Sequence, residues 1–372
     1  MTNNNIQQKD ERLLSLDLFR GLTMFLLVFE TTFFYGYALE ATNEGSFFYN
    51  LLQQFHHHPW NGLRFWDLIQ PYFMFIVGVA MVFSINKRLS KGINHGEITK
   101  HIVIRSILLF FFGVILHCGY ANKLVWELWN VLTQLAFTIL ISYAIFNLRI
   151  RYQFIFSILL LILTEILYRY TNIQGFNEPF VIGKNFGSWM DLVLMNKIND
   201  GGWVVINFLP TSAHTIWGVI AGKILFSKRD NFEKFKIIAL AGIVGIIVGY
   251  GLDWFGITPI IKRICTNSFV IVSGGWSVFT LAIFYYLVDL KGFKKGLTIF
   301  VVVGMNPIFI YMFSQTLGQF WFNGFVNIFV GGFLQYLSIS PEISNIINSI
   351  VVFSLELYIC YWLYKKKIFF KI

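Results

Sequence analysis

Charged residues are scarce in this chain of 372 residues, and their scarcity excludes a soluble globular protein. Asp, Glu, Lys and Arg make up 13% of the sequence, whereas a soluble domain carries about a quarter. Hydrophobic residues make up 56%, with 42 Phe, 17 Tyr and 11 Trp among them. The apolar residues recur in stretches of about 20, the length of an α-helix that crosses about 30 Å of hydrocarbon. The sequence therefore predicts an all-α polytopic membrane protein.

The sequence also lacks several signatures of soluble enzymes and pumps. The three cysteines have no metal-binding or redox spacing, so we expect packing residues, with a Cys118–Cys265 disulfide left open. A phosphate-binding Walker loop, a dinucleotide-binding glycine pattern and a serine-hydrolase elbow are all missing, which argues against ATP-driven transport and serine hydrolysis. Residues 1–17 lack the apolar core and cleavage site of a signal peptide, so we expect the first helix to be retained as an internal signal.

We predict ten membrane spans, with both termini in the cytoplasm. The net charge of +10 comes from basic residues in short loops, as the positive-inside rule requires, so nucleic acid is not an expected partner. With this orientation, 20 of the 29 Lys and Arg residues lie in cytoplasmic segments. We expect one transmembrane domain over residues 1–372, with a polar start at 1–14 and a basic tail at 365–372. The predicted spans are 18–40, 66–86, 102–119, 128–147, 152–170, 203–226, 236–255, 268–288, 297–316 and 343–364.

Three consecutive histidines, His56, His57 and His58, lie shortly before Asp67 and a mostly apolar stretch. Titratable groups at the mouth of a span are costly and rarely idle. Three interpretations are open: a solvent-exposed polar loop, a zinc site, or a general base that accepts a proton from a sugar hydroxyl or amine. The zinc site requires a bent backbone, because three adjacent side chains do not point at one ion. Asp67 is a candidate to orient an imidazole by accepting its other N–H, and also to cap the second span.

Other polar groups lie within or beside the predicted spans. Asp17 and Arg20 share a helix face, either as an interfacial ion pair or with Arg20 facing an inner cavity where its guanidinium holds a phosphate. Glu30 lies in the middle of a span, where a carboxylate requires a partner or a proton. Further candidates are His214 in the sixth span, Asn306-Pro307, which breaks the ninth span, and Lys262-Arg263, which either grips an anionic ligand or snorkels at an outer helix start.

Five motifs in order along residues 12–365 carry a resemblance to a known family. They are Ser-Leu-Asp-Leu-Phe-Arg-Gly-Leu-Thr (15–23), His-His-Pro-Trp-Asn-Gly (57–62), Asp-Leu-Ile-Gln-Pro (67–71), Lys-Arg-Ile-Cys-Thr-Asn-Ser-Phe-Val (262–270) and Gly-Met-Asn-Pro-Ile-Phe-Ile-Tyr (304–311). With these motifs the chain resembles the heparan-alpha-glucosaminide N-acetyltransferase family and its bacterial relatives.

This resemblance implies acetyl transfer across a membrane, from acetyl-CoA supplied by the cytoplasm to a terminal amino sugar on the far side. It matches the catalytic histidine of the family to His57, its carboxylate to Asp67 and its first-span arginine to Arg20. The chain departs from the family at Glu30, near which human-like members carry an Asn. It departs again at Thr133-Gln134, where they carry a Gln-Arg pair.

We therefore expect a transmembrane acyltransferase of the inner membrane, with His57 as general base, Asp67 as its orienting partner, acetyl-CoA as co-substrate and no metal cofactor. The alternative is a transporter of amino sugars or cell-wall fragments, and a homodimer stays open in either case. In both, the aromatic residues Trp60, Trp66, Trp203 and Trp276 are candidates to stack on sugar rings. The candidate substrate-binding residues are His58, Trp60, Asn61, Glu30, Asn267 and Asn306. The candidates to hold the CoA phosphates are Arg20, Lys87, Arg88 and Arg105.

Overall fold

The computed structural model describes residues 13–370, which contain fifteen α-helices and no β-strand. Most of the polar start (residues 1–12) and the last two residues of the basic tail lie outside the described residues. Two 3₁₀ turns, Phe65–Leu68 and Val205–Asn207, lead into α4 and α9, and two π-helical turns, Tyr285–Leu290 and Ser314–Phe322, follow α11 and α13. The α-helices are α1 (Leu14–Glu30), α2 (Phe34–Glu40), α3 (Phe47–Gln53), α4 (Ile69–Ser90), α5 (His95–Ala121), α6 (Val131–Ala144), α7 (Ile150–Tyr170), α8 (Phe186–Met195), α9 (Phe208–Phe226), α10 (Asn231–Trp254), α11 (Asn267–Phe284), α12 (Thr298–Met305), α13 (Pro307–Phe313), α14 (Asn323–Tyr336) and α15 (Pro341–Lys365).

Polar residues in the short loops begin several of these helices. Asn94 accepts from the backbone N–H of Glu97 at 2.9 Å at the start of α5, and Asp230 does the same for Glu233 at 3.3 Å at the start of α10. Such side chains satisfy backbone donors that have no partner within the helix. One helix thus ends and the next begins in these loops, at the ends of the apolar stretches.

Each of the ten predicted spans coincides with a helix or a helix pair, but not all of them are long and apolar enough to cross a membrane. Within residues 13–370, six helices meet this condition, and two bent pairs raise the number of spans to as many as eight. The count of ten and the cytoplasmic termini therefore stay predictions. The six helices are Phe65–Ser90, His95–Ala121, Ile150–Tyr170, Asn231–Trp254, Asn267–Leu290 and Pro341–Lys365.

The two remaining predicted spans correspond to α6 and α9. Helix α6 has 14 residues, and at about 1.5 Å per residue it falls short of about 30 Å of hydrocarbon. Helix α9 has 19 residues, but it contains fully buried polar side chains such as His214. The His214 Nε2 atom lies 3.0 Å from both the Val270 carbonyl oxygen and the Ser273 hydroxyl. Helix α9 is therefore surrounded by protein, which satisfies its polar groups.

The first predicted span, 18–40, is broken between α1 and α2, which bend by 59° at residues 31–33. Phe33 has a φ of 63°, in the left-handed region. The carbonyl groups freed by the break are satisfied from other helices: Asn323 Nδ2 donates to Thr31 O at 2.8 Å, and Ser349 Oγ donates to Thr32 O at 2.7 Å. The single continuous helix expected here is therefore corrected to a bent pair whose break is covered by protein.

The predicted break at Asn306-Pro307 is confirmed, because α12 ends at Met305 and the chain turns by 80° into Pro307–Tyr336. The Asn306 side chain fills the gap by binding the C-terminal segment. Its Nδ2 atom donates to Ile368 O at 3.0 Å, and its Oδ1 atom accepts from the Phe370 N–H at 2.8 Å.

Glycines bring the central helices into close contact. At the crossing of α4 and α9, a Cβ on Gly78 would lie 2.0 Å from the Thr215 carbonyl oxygen, and one on Gly218 would lie 2.1 Å from the Phe75 carbonyl oxygen. Small residues of this kind let helix backbones approach closely in membranes. Helices α4, α9 and α11 pack together and all begin at the same end of the bundle, which we call the His57 end. The opposite end, where α4 finishes, is the Arg88 end.

Candidate active site

Three charged or titratable side chains from distant parts of the sequence meet at the His57 end. His57 lies in the loop before α4, Asp67 in the 3₁₀ turn that begins it, and Lys262 in the segment before α11. His57 Nδ1 lies 3.0 Å from Asp67 Oδ1 and 3.0 Å from Lys262 Nζ, while Lys262 Nζ lies 3.6 Å from Asp67 Oδ1. An antiparallel bridge between Asn61 and Ile261 joins the two loops and brings Lys262 to His57.

Asp67 is the fully buried centre of this cluster. Its Oδ2 atom accepts from the backbone N–H groups of Arg64 at 2.9 Å and His58 at 3.2 Å, and its side chain has no exposed surface. A buried carboxylate with these partners is stabilised as an anion and holds the loop 58–64 in one conformation.

The His57 ring turns its Nδ1 atom into the protein and leaves its side chain 37% exposed. Nδ1 carries either a proton or a lone pair, so it cannot donate to Asp67 and accept from Lys262 at once. When Nδ1–H donates to Asp67, the lone pair of the imidazole lies on Nε2. This tautomer has the geometry of a general base held by a carboxylate.

The surroundings lower the pKa of His57 to about 4, because the partial burial of the ring disfavours the charged imidazolium and the Lys262 ammonium repels it, against the opposing effect of Asp67. Burial also lowers the pKa of Lys262, although the Asp67 carboxylate favours its charged form. Near neutral pH the imidazole is therefore unprotonated and able to accept a proton.

Trp203 forms one wall of the cluster. Its ring meets the His57 ring edge-to-face at 5.6 Å between centroids, and Lys262 Nζ lies 5.4 Å from the Trp203 centroid. The Arg263 guanidinium lies over the same ring at 5.9 Å. An indole face beside two cations is a suitable surface for a polar ring such as a sugar, since it combines stacking with hydrogen-bond donors.

The three adjacent histidines diverge. The His56 ring contacts the Tyr35 carbonyl oxygen at 3.3 Å, and the His58 ring packs against Gly62, where a Cβ would lie 2.6 Å from His58 Nε2. Among residues 13–370, no group of three His, Cys, Asp or Glu side chains is arranged to hold a metal ion. The three histidines thus do not form the zinc site left open above.

The other predicted substrate-binding residues lie at different distances from His57. Asn61 is exposed in the bridge to Ile261, and Trp60 Nε1 donates a hydrogen bond to Phe180 O at 2.8 Å. Asn267 begins α11, five residues after Lys262, with its Oδ1 atom buried and unpartnered.

Two further candidates bind other parts of the protein. Glu30 Oε1 accepts from Trp66 Nε1 at 3.1 Å, one residue from Asp67. Asn306 is not brought to the cluster, since its side chain holds the C-terminal segment.

Arginines predicted to hold phosphates gather at the Arg88 end. A narrow cavity of about 30 Å³ there is lined by Arg88, Arg105 and His101. Arg20 lies close enough to Arg105 to interact with it electrostatically. The Arg105 Nε–H is buried without a hydrogen-bond partner among the described residues, as expected of a donor that awaits an anion. Lys87 is exposed at the same end of α4.

Sequence reasoning missed the part that Lys262 plays. Lys262 was singled out as a candidate to grip an anion, but its contact with His57 joins residues 205 positions apart. The only local signal was the position of Lys262-Arg263 at a helix start on the side predicted to carry His57.

A second buried carboxylate was also missed. Asp191 in α8 accepts from Trp129 Nε1 at 2.7 Å and from the Val205 N–H at 2.8 Å. Burial raises its pKa to about 7.

The cysteines are all free thiols, so the Cys118–Cys265 disulfide left open above does not form.

Comparison with known proteins agrees with the motifs. A family model described as "Heparan-alpha-glucosaminide N-acetyltransferase, catalytic" matches residues 12–251, which include His57 and Asp67 but not Lys262. The chain is 26% identical to the heparan-alpha-glucosaminide N-acetyltransferase of Mus musculus over 97% of its own length and 60% of that relative. It is 25% identical to the protein of the same name from Homo sapiens, with the same coverage. The chain therefore spans about 60% of the length of the curated relatives it matches.

Proposed function

Because the chain belongs to the heparan-alpha-glucosaminide N-acetyltransferase family, we propose that it is a multi-pass acyltransferase of the inner membrane. It takes an acetyl group from cytoplasmic acetyl-CoA and transfers it to an amino sugar or glycan on the outer side. The observation that carries this proposal is the His57–Asp67–Lys262 cluster at the mouth of a membrane span.

The cluster supports direct transfer by general-base catalysis. The acceptor amine attacks the thioester carbonyl, so that a new N–C bond forms as the C–S bond breaks. Nε2 of His57 takes the proton that the amine loses and returns it to the departing thiolate. Asp67 holds the Nδ1–H and stabilises the imidazolium that exists between the two proton transfers.

Lys262 has a different task in this proposal. Its ammonium lies 3.0 Å from His57 Nδ1 and keeps the resting imidazole neutral, while Asp67 is available to offset the charge once the proton arrives. Trp203, which contacts the His57 ring, and the residues His58, Asn61, Trp60, Asn267 and Glu30 are the proposed contacts for the sugar.

The donor is proposed to enter from the Arg88 end. Arg20, Arg88 and Arg105 are the candidates to bind the CoA phosphates, and the unpartnered Arg105 Nε–H fits that use. Asp67 and Arg88 are 21 residues apart on one helical segment, roughly 30 Å at about 1.5 Å per residue. The thioester must therefore reach through the bundle while the phosphates stay at the Arg88 end.

The test is acetyl transfer by purified protein, with radiolabelled acetyl-CoA and glucosamine. We expect His57→Ala to lower the rate by about 10²–10⁴-fold, since that is the usual contribution of a general base. His56→Ala is the matched control, because its ring contacts a backbone carbonyl instead of Asp67. Equal rates in wild type and His57→Ala would contradict the proposal. Sugar uptake into proteoliposomes without acetyl-CoA would instead identify a transporter.

A further inference from the structure

An apolar groove runs beside the candidate active site. It has a volume of about 430 Å³ and lies between α1, α4 and α11. Its lining is mainly aliphatic and aromatic, with Leu22, Leu26, Tyr72, Trp276 and Phe284 as its main walls. This volume is within the range of ligand pockets, about 300–1,000 Å³.

The groove opens on the outside of the bundle. Its wall residues Leu22, Leu26, Trp276 and Phe284 are half-buried, and Tyr250 at its edge is 39% exposed. Trp276, Phe284 and Tyr250 belong to helices long enough to span a membrane, and Leu22 and Leu26 belong to the bent pair of α1 and α2, so the opening faces hydrocarbon. An alkyl chain of a membrane lipid can therefore enter from the side without crossing water.

The groove ends in a positive charge next to His57. Arg64 lines this end, and its Nη1 atom donates to the His57 carbonyl oxygen at 3.1 Å. Its Nη2 atom donates to Gln53 Oε1 at 3.4 Å, so both acceptors are neutral. No salt bridge of Arg64 exists within residues 13–370, which leaves the guanidinium charge uncompensated. A phosphate is its natural complement.

We propose that the acceptor is anchored to a lipid: a sugar joined through a phosphate to a long apolar chain. The chain lies in the groove, the phosphate contacts Arg64, and the sugar is held beside the His57 ring. This inference rests on the proposed function and names the class of its acceptor. It explains why an apolar groove and an unpaired guanidinium meet at the loop that carries the candidate base.

The experiment measures binding directly, by native mass spectrometry of the full chain with glucosaminyl hexadecyl phosphate as probe. We expect binding to wild type, and binding about tenfold weaker in Leu22→Trp, which fills the groove, and in Arg64→Gln, which removes the charge. Arg64→Lys restores part of the affinity. Ile247→Trp, on a lipid-facing position that is 66% exposed, is the control and binds like wild type.

Several results would overturn the inference. The first two are that the probe does not bind wild type, or binds Leu22→Trp as tightly as wild type. Displacement of the probe by an equal concentration of phosphatidylglycerol would indicate an ordinary lipid site. Loss of acetyl-CoA binding in Leu22→Trp would assign the groove to the donor. Acetylation of free glucosamine by a protein that does not bind the probe contradicts this inference but agrees with the proposed function. Binding of the probe without acetyl transfer to any acceptor contradicts the proposed function itself.

Discussion

At the scale of single residues, the proposed chemistry depends on the side chains that surround the His57 imidazole. His57 and Asp67 are ten positions apart, and the sequence predicted a histidine–carboxylate contact in this region. The residues alone did not choose among three adjacent histidines, because the direction of each ring is set by loop backbone and by Gly62. The contact of Lys262 was not predictable for another reason: it arises where the loop at Asn61 pairs with Ile261, which spacing along the chain does not reveal.

Replacing Lys262 by Met should shift the pH dependence of acetyl transfer. The Lys262 charge helps to hold the pKa of His57 near 4, below its ordinary value of 6.5. Without that charge the pKa of His57 rises, more imidazole is protonated between pH 5 and 6.5, and kcat/KM falls there relative to pH 8. The measurement is the pH profile of kcat/KM with one acceptor, so that titration of the acceptor amine affects both proteins equally. The variant of the exposed Lys184, Lys184→Met, is the control and should keep the wild-type profile. An unchanged acidic limb in Lys262→Met would show that Lys262 does not set the pKa of His57.

Replacing Asp67 by Asn should lower kcat by about 10²–10⁴-fold, because a neutral amide neither stabilises the imidazolium nor fixes its tautomer. The Oδ1 atom of the Asn can still accept from the backbone N–H groups of Arg64 and His58, so the fold should persist. Kinetics and thermal unfolding of the same sample test this together. Loss of folding with loss of activity would point to a structural role for Asp67.

At the scale of elements, hydropathy located the helices but not their geometry. All ten predicted spans have helical counterparts, yet the first is bent at residues 31–33 and α9 is enclosed by its neighbours, with buried polar side chains among its apolar residues. Neither feature follows from local composition. The bend depends on Asn323 and Ser349 satisfying freed carbonyls, and these residues are about 300 positions away.

The crossing of α4 and α9 gives a prediction at this scale. Gly78→Ala should destabilise the protein by roughly 1–3 kcal/mol, because the new methyl group would lie 2.0 Å from the Thr215 carbonyl oxygen. Gly251→Ala in α10 is the control, since a Cβ there meets nothing within 4 Å. Thermal unfolding in detergent measures both. Equal stability of the two variants would mean that α4 and α9 can move apart at their crossing without loss of stability.

At the scale of the whole molecule, the bundle has two chemically different ends. The His57 end carries the imidazole, a buried carboxylate and tryptophans, whereas the Arg88 end carries Arg88, Arg105 and most of the basic loops. The predicted cytoplasmic side is the Arg88 end, by the distribution of Lys and Arg. The difference between the two ends could be predicted from the distribution of charged residues in the sequence. The groove beside His57 could not, because it is formed by the packing of three helices.

Cysteine labelling tests the orientation. Leu124, 93% exposed in the loop between α5 and α6, lies at the His57 end, and Lys91 lies in the loop at the Arg88 end. In intact cells, after removal of any outer barrier, a membrane-impermeant maleimide should label Leu124→Cys and leave Lys91→Cys unlabelled until the membrane is opened. The wild type supplies the background from Cys118. The reverse labelling pattern would show that the Arg88 end faces outward, which contradicts the proposed entry of acetyl-CoA from the cytoplasm.

Acetyl transfer can be measured from one side of the bilayer to the other, in proteoliposomes of known orientation. With acetyl-CoA only on the Arg88 side and glucosamine only on the His57 side, we expect acetylated sugar on the His57 side from wild type and His56→Ala, and formation about 10²–10⁴-fold slower from His57→Ala. Product formed equally well when donor and acceptor are both on the His57 side, or product formed by His57→Ala at the wild-type rate, would contradict transfer across the membrane by His57.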